Sequence, residues 1–290
     1  MKVALTGATG FVGSHILSEL HEHGHEVIAL VRDDTKADIV KARGASPALV
    51  DLYNRPAVAD LLAAADGAIH TAGDAAGGLD SAVVDAAIAA FAGTGKPYLH
   101  IGVTTIFGDN TAITERSPVR APAIISWKEG IENRVIGAAG MRGAVIVSSV
   151  VYGDGGGGIP GLVLGSPRDE AGNLIMLGSG QQHWPTVHVA DLARAFRLVL
   201  EQDAARGYYI IGNSANETVA ELTEAAAVAV GAPGAVPGSR DEARSRLGDH
   251  LAEIFLLDQC TDAVKARTEL GWQPSRPTLA DEFRCGSYRR

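Results

Sequence analysis

The sequence predicts an α/β protein built on a doubly wound parallel sheet, with a smaller carboxyl-terminal lobe beside it. Three observations carry that expectation. The first 13 residues read as a strand, a glycine turn and a helix start; strand-like and helix-like stretches then alternate at close intervals; and the texture changes after Val151. Such alternation implies right-handed βαβ units, and hence a parallel sheet with helices on both faces.

Residues 3–6 form the first expected strand. They run into a turn carrying Gly7, Gly10 and Gly13, and the amphipathic stretch 14–23 follows directly. In such a turn the first glycine lets the chain bend, the second lets backbone N–H groups approach a ligand, and the third lets helix and strand pack closely. The helix start adds partial positive charge, so a dinucleotide pyrophosphate is the expected guest; a tight structural turn is the plainer alternative. The candidate cradle is the backbone of Gly7, Thr9, Gly10, Phe11, Val12 and Gly13.

Apolar runs at 26–31, 47–50, 67–71, 97–102 and 144–149 are the next strands, and alanine-rich stretches at 35–43, 56–65, 79–92 and 123–139 are the helices among them. Past Val151, the run Gly153-Asp154-Gly155-Gly156-Gly157-Gly158 reads as a mobile lid hinge or as a plain surface loop. Residues 1–151 are the expected dinucleotide-binding core and 188–212 return to it, leaving 152–187 and 213–290 as a substrate-binding lobe.

Bulk composition narrows the class. A net charge of −9 speaks against a nucleic-acid or anionic-membrane surface, and no apolar run is long enough to span a bilayer. The amino-terminal strand does not read as a signal peptide, and Cys260 and Cys285 make neither a disulfide framework nor a zinc site. A reduced, cytoplasmic setting is therefore expected. His21, His23 and His25 straddle a helix end and a strand start, which reads as a solvated turn, and no metal site is expected.

Several short motifs in order resemble the short-chain dehydrogenase/reductase superfamily, in its extended and atypical branches of NAD(P)-dependent epimerases and dehydratases. Residues 6–13 look like that family's cofactor turn, Asp51-Leu52 like its adenine contact, and His70-Thr71-Ala72-Gly73 like its fourth-strand motif. Ile106-Phe107-Gly108-Asp109, the stretch from Trp184 through His188 to Ala193, and the stretch from Glu269 to Pro274 are similar to later signatures. The resemblance spans nearly the whole chain and implies a Rossmann-like core.

It also implies a cofactor site. Family members that bind NAD place an acidic residue at the end of the second strand, where this chain has Val31 followed by Arg32. A guanidinium there suits a 2′-phosphate, with Lys36 assisting, so NADP(H) is favoured over NAD(H). Pairing of Arg32 with Asp33 and Asp34 in a solvated turn stays open. Thr71, Ala72 and Gly73 would border the cofactor, Lys128 would hold the nicotinamide ribose, and backbone near Ser148 to Val150 would meet the carboxamide.

The family's engine is a Ser/Thr, a Tyr and a Lys, with Tyr and Lys spaced as Tyr-x-x-x-Lys. The tyrosine slot holds Ile124 and the Ser/Thr slot Val103, neither of which can pass a proton. Lys128, Thr105 and Tyr152 are the remaining catalytic candidates. An ion pair with Glu132 is the plain alternative for Lys128, and a structural role the plain one for Tyr152 and for His188. His183 stands where relatives often carry an arginine for a substrate phosphate. The expected activity is that of an NADP(H)-binding oxidoreductase acting on a small carbonyl or enone. Two readings stay beside it: a redox-neutral isomerase or epimerase-like enzyme, and a non-catalytic NADP(H)-sensing protein. A small-molecule substrate is the expected partner, together with a homodimer through helices 79–92 and 123–139.

Overall fold

Strands whose residues are apolar on both faces can be satisfied only between two layers of helices. The apolar runs of this chain meet that condition, and the computed structural model, described for residues 1–289, stacks them accordingly. In chain order come β1 (Lys2–Thr6), α1 (Phe11–Glu22), β2 (Glu26–Val31), α2 (Asp34–Lys41), β3 (Ser46–Leu49), α3 (Arg55–Ala63), β4 (Gly67–His70), α4 (Gly78–Phe91) and β5 (Pro97–Val103). There follow β6 (Asn110–Ile113), α5 (Trp127–Gly137), β7 (Arg142–Ser148), β8 (Val150–Tyr152), α6 (Gly158–Leu164), β9 (Leu174–Ile175), β10 (His183–Trp184), β11 (Thr186–His188), α7 (Val189–Glu201) and β12 (Gly207–Ile211). Last are β13 (Glu217–Thr218), α8 (Val219–Ala229), β14 (Ala235–Val236), α9 (Arg240–Leu247), α10 (Asp249–Phe255), β15 (Gln259–Thr261), α11 (Val264–Leu270) and α12 (Leu279–Cys285).

Seven strands form one sheet in the order β12-β7-β5-β4-β1-β2-β3, every neighbour parallel. The order reverses between β1 and β4, so the crevice beyond their carboxyl ends is the switch point where ligands of such sheets bind. One apolar layer packs α1 and α7 on the sheet through Ile16, Leu17, Leu192 and Phe196; the other packs α3, α4 and α5 through Val58, Val84, Phe91 and Val135. A third cluster, around Tyr152, Leu222 and Phe283, joins β8, α8 and α12. No helix among the described residues is long and apolar enough to cross a membrane.

Two expectations need correction. The stretch 123–139 is not one helix: residues Ala123–Ile125 make a single 3-10 turn, and α5 starts at Trp127. The cause is local. Ser126 Oγ donates to Ala123 O, and the Trp127 indole N–H donates to Ile124 O at 3.1 Å, the acceptor an α-helix would reserve for the Lys128 N–H.

Nor is the glycine run a free hinge. Gly153 N donates to Tyr288 Oη at 2.6 Å, Gly155 N donates to Ser287 Oγ at 2.9 Å, and Tyr288 Oη donates to Gly156 O. The carboxyl-terminal residues strap it down.

Candidate functional site

The site begins at the turn after β1. Gly7 has φ +74°, and a Cβ there would stand 2.7 Å from Ala72 N and Thr71 C. A Cβ at Gly13 would stand 2.2 Å from Gly7 O, so only glycine lets α1 cross this close. Thr71 Oγ1 donates to Thr6 O at 2.8 Å and closes the wall between the turn and β4. Gly10 is exposed and caps α1 without a side-chain hydrogen bond, and no acid stands in the helix's first turn. The N–H groups of Phe11, Val12 and Gly13 therefore face outward without a side-chain acceptor, which is the donor set that a pyrophosphate takes.

At the end of β2, Val31 is buried, while the Arg32 side chain is 82% exposed with Nε 3.4 Å from Asp33 Oδ2. The plain pairing is thus formed, but such an exposed pair is worth only about 0–1 kcal/mol and does not fix the guanidinium. Asp33 has its own task, since Oδ1 accepts from Lys36 N at 2.8 Å and caps α2. Beyond β3, Asp51 Oδ1 accepts from Tyr53 N, and Tyr53 Oη donates to Asp74 Oδ2 at 2.6 Å. That bond joins the loops after β3 and β4. The tyrosine's bond, reinforced by N–H groups of the α4 start, holds the Asp74 carboxyl down at about 2.

Beyond the carboxyl ends of β4 and β5 lies a cleft of about 350 Å³. Thr71, Ala72 and Gly73 form one wall, and Ile101, Ile124, Ile125 and Trp127 another; Lys128 reaches in between them, and Leu251 and Ile254 of α10 lean over. Lys128 Nζ lies 4.5 Å from the Trp127 ring centroid, a cation–π contact. Among the described residues no ion pair joins it to Glu132, which is fully buried and accepts from Tyr208 Oη at 3.1 Å. Burial pushes the Glu132 carboxyl up to about 7, against the opposing pull of Lys128.

The remaining candidates lie elsewhere. Tyr152 is fully buried, its phenol donating to Pro277 O at 2.6 Å and accepting from Asn213 Nδ2, and burial raises its pKa far above the ordinary range. It does not line the cleft. Thr105 is half-buried in the 3-10 turn after β5, and Ser148 Oγ donates to Gly102 O at 3.0 Å, with Val150 half-buried beyond it. His183 Nδ1 lies 2.8 Å from Asp258 Oδ1, and His188 caps α7 by accepting from Ala190 N. The structure therefore brings Thr71, Ala72, Gly73, Ile124 and Lys128 to one cleft, and leaves Thr105 and Tyr152 outside its lining. Sequence reasoning missed Asp80 and the α10 residues Leu251 and Ile254, which no motif marks.

A seven-stranded parallel sheet with a glycine turn at its switch point and a lysine-bearing cleft beside it defines a Rossmann-like protein of the short-chain dehydrogenase/reductase type. Comparison with known proteins gives the family. The chain belongs to the NAD dependent epimerase/dehydratase family, whose sequence profile matches residues 3–122 and 133–212. It is 28% identical to the Uncharacterized protein C2A9.02 of Schizosaccharomyces pombe, over 99% of this chain and 100% of that one. The fold is shared with human epimerase family protein SDR39U1, solved with NADPH (TM-score 0.74, 22% identity, 99% of each chain). It is shared too with UDP-glucose 4-epimerase of Thermotoga maritima, solved with UDP-glucose (TM-score 0.74, 19% identity, 99% of this chain and 97% of that one).

Proposed function

We propose that this protein binds NADP(H) in preference to NAD(H) and acts as an oxidoreductase on a small, mostly apolar carbonyl or enone. The observation that carries the reading is the cleft itself, in which Lys128 is set among Ile101, Ile124, Trp127 and Ile254, next to Thr71 to Gly73 and the uncapped α1. The turn N–H groups hold the pyrophosphate, and Arg32 with Lys36 meets the 2′-phosphate. Lys128 holds the nicotinamide ribose, and backbone at Ser148 to Val150 orients the carboxamide. Bound cofactor supplies or accepts the hydride. The chain supplies position, a dry wall at Ile101 and Ile124, and a proton to the carbonyl oxygen from the Lys128 side of the cleft, through water or, from outside the cleft lining, the Thr105 hydroxyl. Tyr152 has no part, because its phenol is committed to Pro277.

Two features bear on substrate. His183, which stands where relatives often carry an arginine for a substrate phosphate, is already paired with Asp258, and this speaks against a sugar-nucleotide substrate. NADPH in the human relative supports the cofactor preference. We further propose that residues 152–187 and 213–290 act as the substrate-covering lobe, with α10 as its contact to the cleft. On our reading the protein is a cytoplasmic homodimer paired through α4 and α5. The apolar residues at Ile124 and Val103 favour one competing reading, a non-catalytic NADP(H) sensor.

A thermal-shift titration with NADP⁺, NADPH, NAD⁺ and NADH tests it. A ligand at a hundredfold its dissociation constant stabilises the native state by about 2.7 kcal/mol. NADPH should raise the melting temperature more than NADH, and Arg32→Ala should erase that advantage. NADPH oxidation with one member of a carbonyl panel, lost in Lys128→Ala, separates the enzyme from the sensor. No shift with any of the four nucleotides ends the cofactor reading.

A further inference from the structure

Under the cleft floor, three polar side chains converge without satisfying one another. His70 and His100 stand opposite each other in the parallel register of β4 and β5, their rings stacked with centroids 5.2 Å apart. Asp80 enters from the first turn of α4, with Oδ1 3.7 Å from His70 Nε2 and 3.5 Å from His100 Nε2. All three are buried, the imidazoles at 0% and Asp80 at 2% exposure. Hydrogen bonds of ordinary strength are shorter than these separations. Among the described residues, His70 Nε2, both His100 nitrogens and Asp80 Oδ2 have no hydrogen-bond partner. A closed network of histidines and a carboxylate would pair these groups directly, because each orphan costs about 1–3 kcal/mol.

We propose that His70, Asp80 and His100 bind a divalent cation of the zinc class. The three ligand atoms lie within 4.8 Å of one another. The two Asp80–histidine edges, 3.5 and 3.7 Å, match edges of a tetrahedron whose centre is about 2.2 Å from each corner, close to Zn–N and Zn–O bond lengths, and the histidine–histidine edge is within 4.8 Å. Octahedral coordination by first-row ions calls for edges near about 3 Å, so the spacing favours a four-coordinate ion. Two neutral imidazoles and one carboxylate are also the donors that such an ion accepts. The outer partner is present: His70 Nδ1 lies 2.7 Å from Thr6 Oγ1, and with N–H donated there His70 turns its Nε2 lone pair toward Asp80. Thr6 in turn accepts from Thr71 N at 3.3 Å, so the cluster is joined to the wall of the nucleotide turn. Asp80 also lines the cleft, so the cluster borders it. The spacing 70, 80 and 100 matches no ligand motif, and it is strand register that assembles the site.

The test uses the full chain without an affinity tag, stripped with a chelator and titrated with Zn²⁺ and with Co²⁺ in the absence of nucleotide. One equivalent per chain should bind, with the intense visible bands of four-coordinate Co²⁺ and a raised melting temperature that chelator reverses. Asp80→Asn and His100→Gln, which keep side-chain shape, should weaken binding at least tenfold. His23→Gln, on the exposed histidine turn, should leave it unchanged. A wild-type titration without a stoichiometric four-coordinate Co²⁺ spectrum overturns the proposal, whatever the variants do. So does binding that survives Asp80→Asn and His100→Gln. Nucleotide-induced stabilisation is measured separately, and its presence or absence decides only the cofactor reading.

Discussion

At Gly13 an added Cβ would strike the turn's own backbone, 2.2 Å from Gly7 O, whereas the run from Gly153 to Gly158, in which Gly153, Gly155 and Gly157 carry positive φ, is in addition tied from outside by Ser287 and Tyr288. The two stretches meet where a Cβ at Gly156 would stand 2.4 Å from the Phe11 ring. Both are rich in glycine, and neither is loose. What decides order in such a stretch is where its N–H and C=O groups go, and composition does not report that.

The largest expected effect breaks the turn. Gly13→Ala drives a methyl into Gly7 O, and denaturant titration should show a loss on the order of 3 kcal/mol or failure to fold. A control of similar size lies outside both stretches, at the buried Glu132, and it separates their neutral backbone packing from titration. Burial pushes the Glu132 carboxyl from its ordinary 4.5 up to about 7 in the folded state. The folded state holds its proton more tightly, so the stabilising contribution is complete below pH 4.5 and is lost as pH rises through about 7. Glu132→Gln should melt higher than wild type at pH 8, by about 3 kcal/mol at most, and should flatten the slope between pH 5 and 8. The Gly13→Ala deficit should be the same at both ends of that range.

Smaller changes probe the strap. Gly156→Ala must move the Phe11 ring rather than backbone, and a loss of about 1–2 kcal/mol in a urea titration is expected, with weaker nucleotide binding by titration calorimetry. Tyr288→Phe removes the acceptor for buried Gly153 N and the donor to Gly156 O, a cost of about 1–2 kcal/mol with faster amide hydrogen exchange across 153–157. Gly158→Ala has no neighbour within 4 Å and no positive φ, so its melting temperature should stay level or rise slightly, by up to about 1 kcal/mol. A destabilised Gly158→Ala would mean that the run needs glycine even where φ is ordinary and the space is open, and that its ties alone do not explain its order.

The same contrast explains what the sequence could disclose. Residues 3–13 and the apolar strands were legible because their constraints are local: a strand's burial and a turn's bend are written in adjacent residues. That Thr71 to Gly73 and Lys128 line one cleft followed from motif order. The break at Ser126 was not legible, since it depends on the Trp127 indole taking the Ile124 carbonyl. Asp80 and His100 were missed because only the pairing of β4 with β5 and the start of α4 bring them to His70. The strap was missed for a similar reason, its donors and acceptors lying more than 130 residues along the chain from the glycines they hold. Tyr152 stood where a cleft residue was expected, but Asn213 and Pro277 claim its phenol.

The strap also has a consequence in time. Ribosomes add about 5–20 residues each second, so the glycine turn and its helix emerge well before Tyr288 and Ser287 are made. Until then the run at 153–158 lacks its ties, and Phe11 lacks a settled neighbour on that side. A nascent chain can therefore assemble the sheet early, but the glycine run settles against Phe11 only once residue 288 has docked.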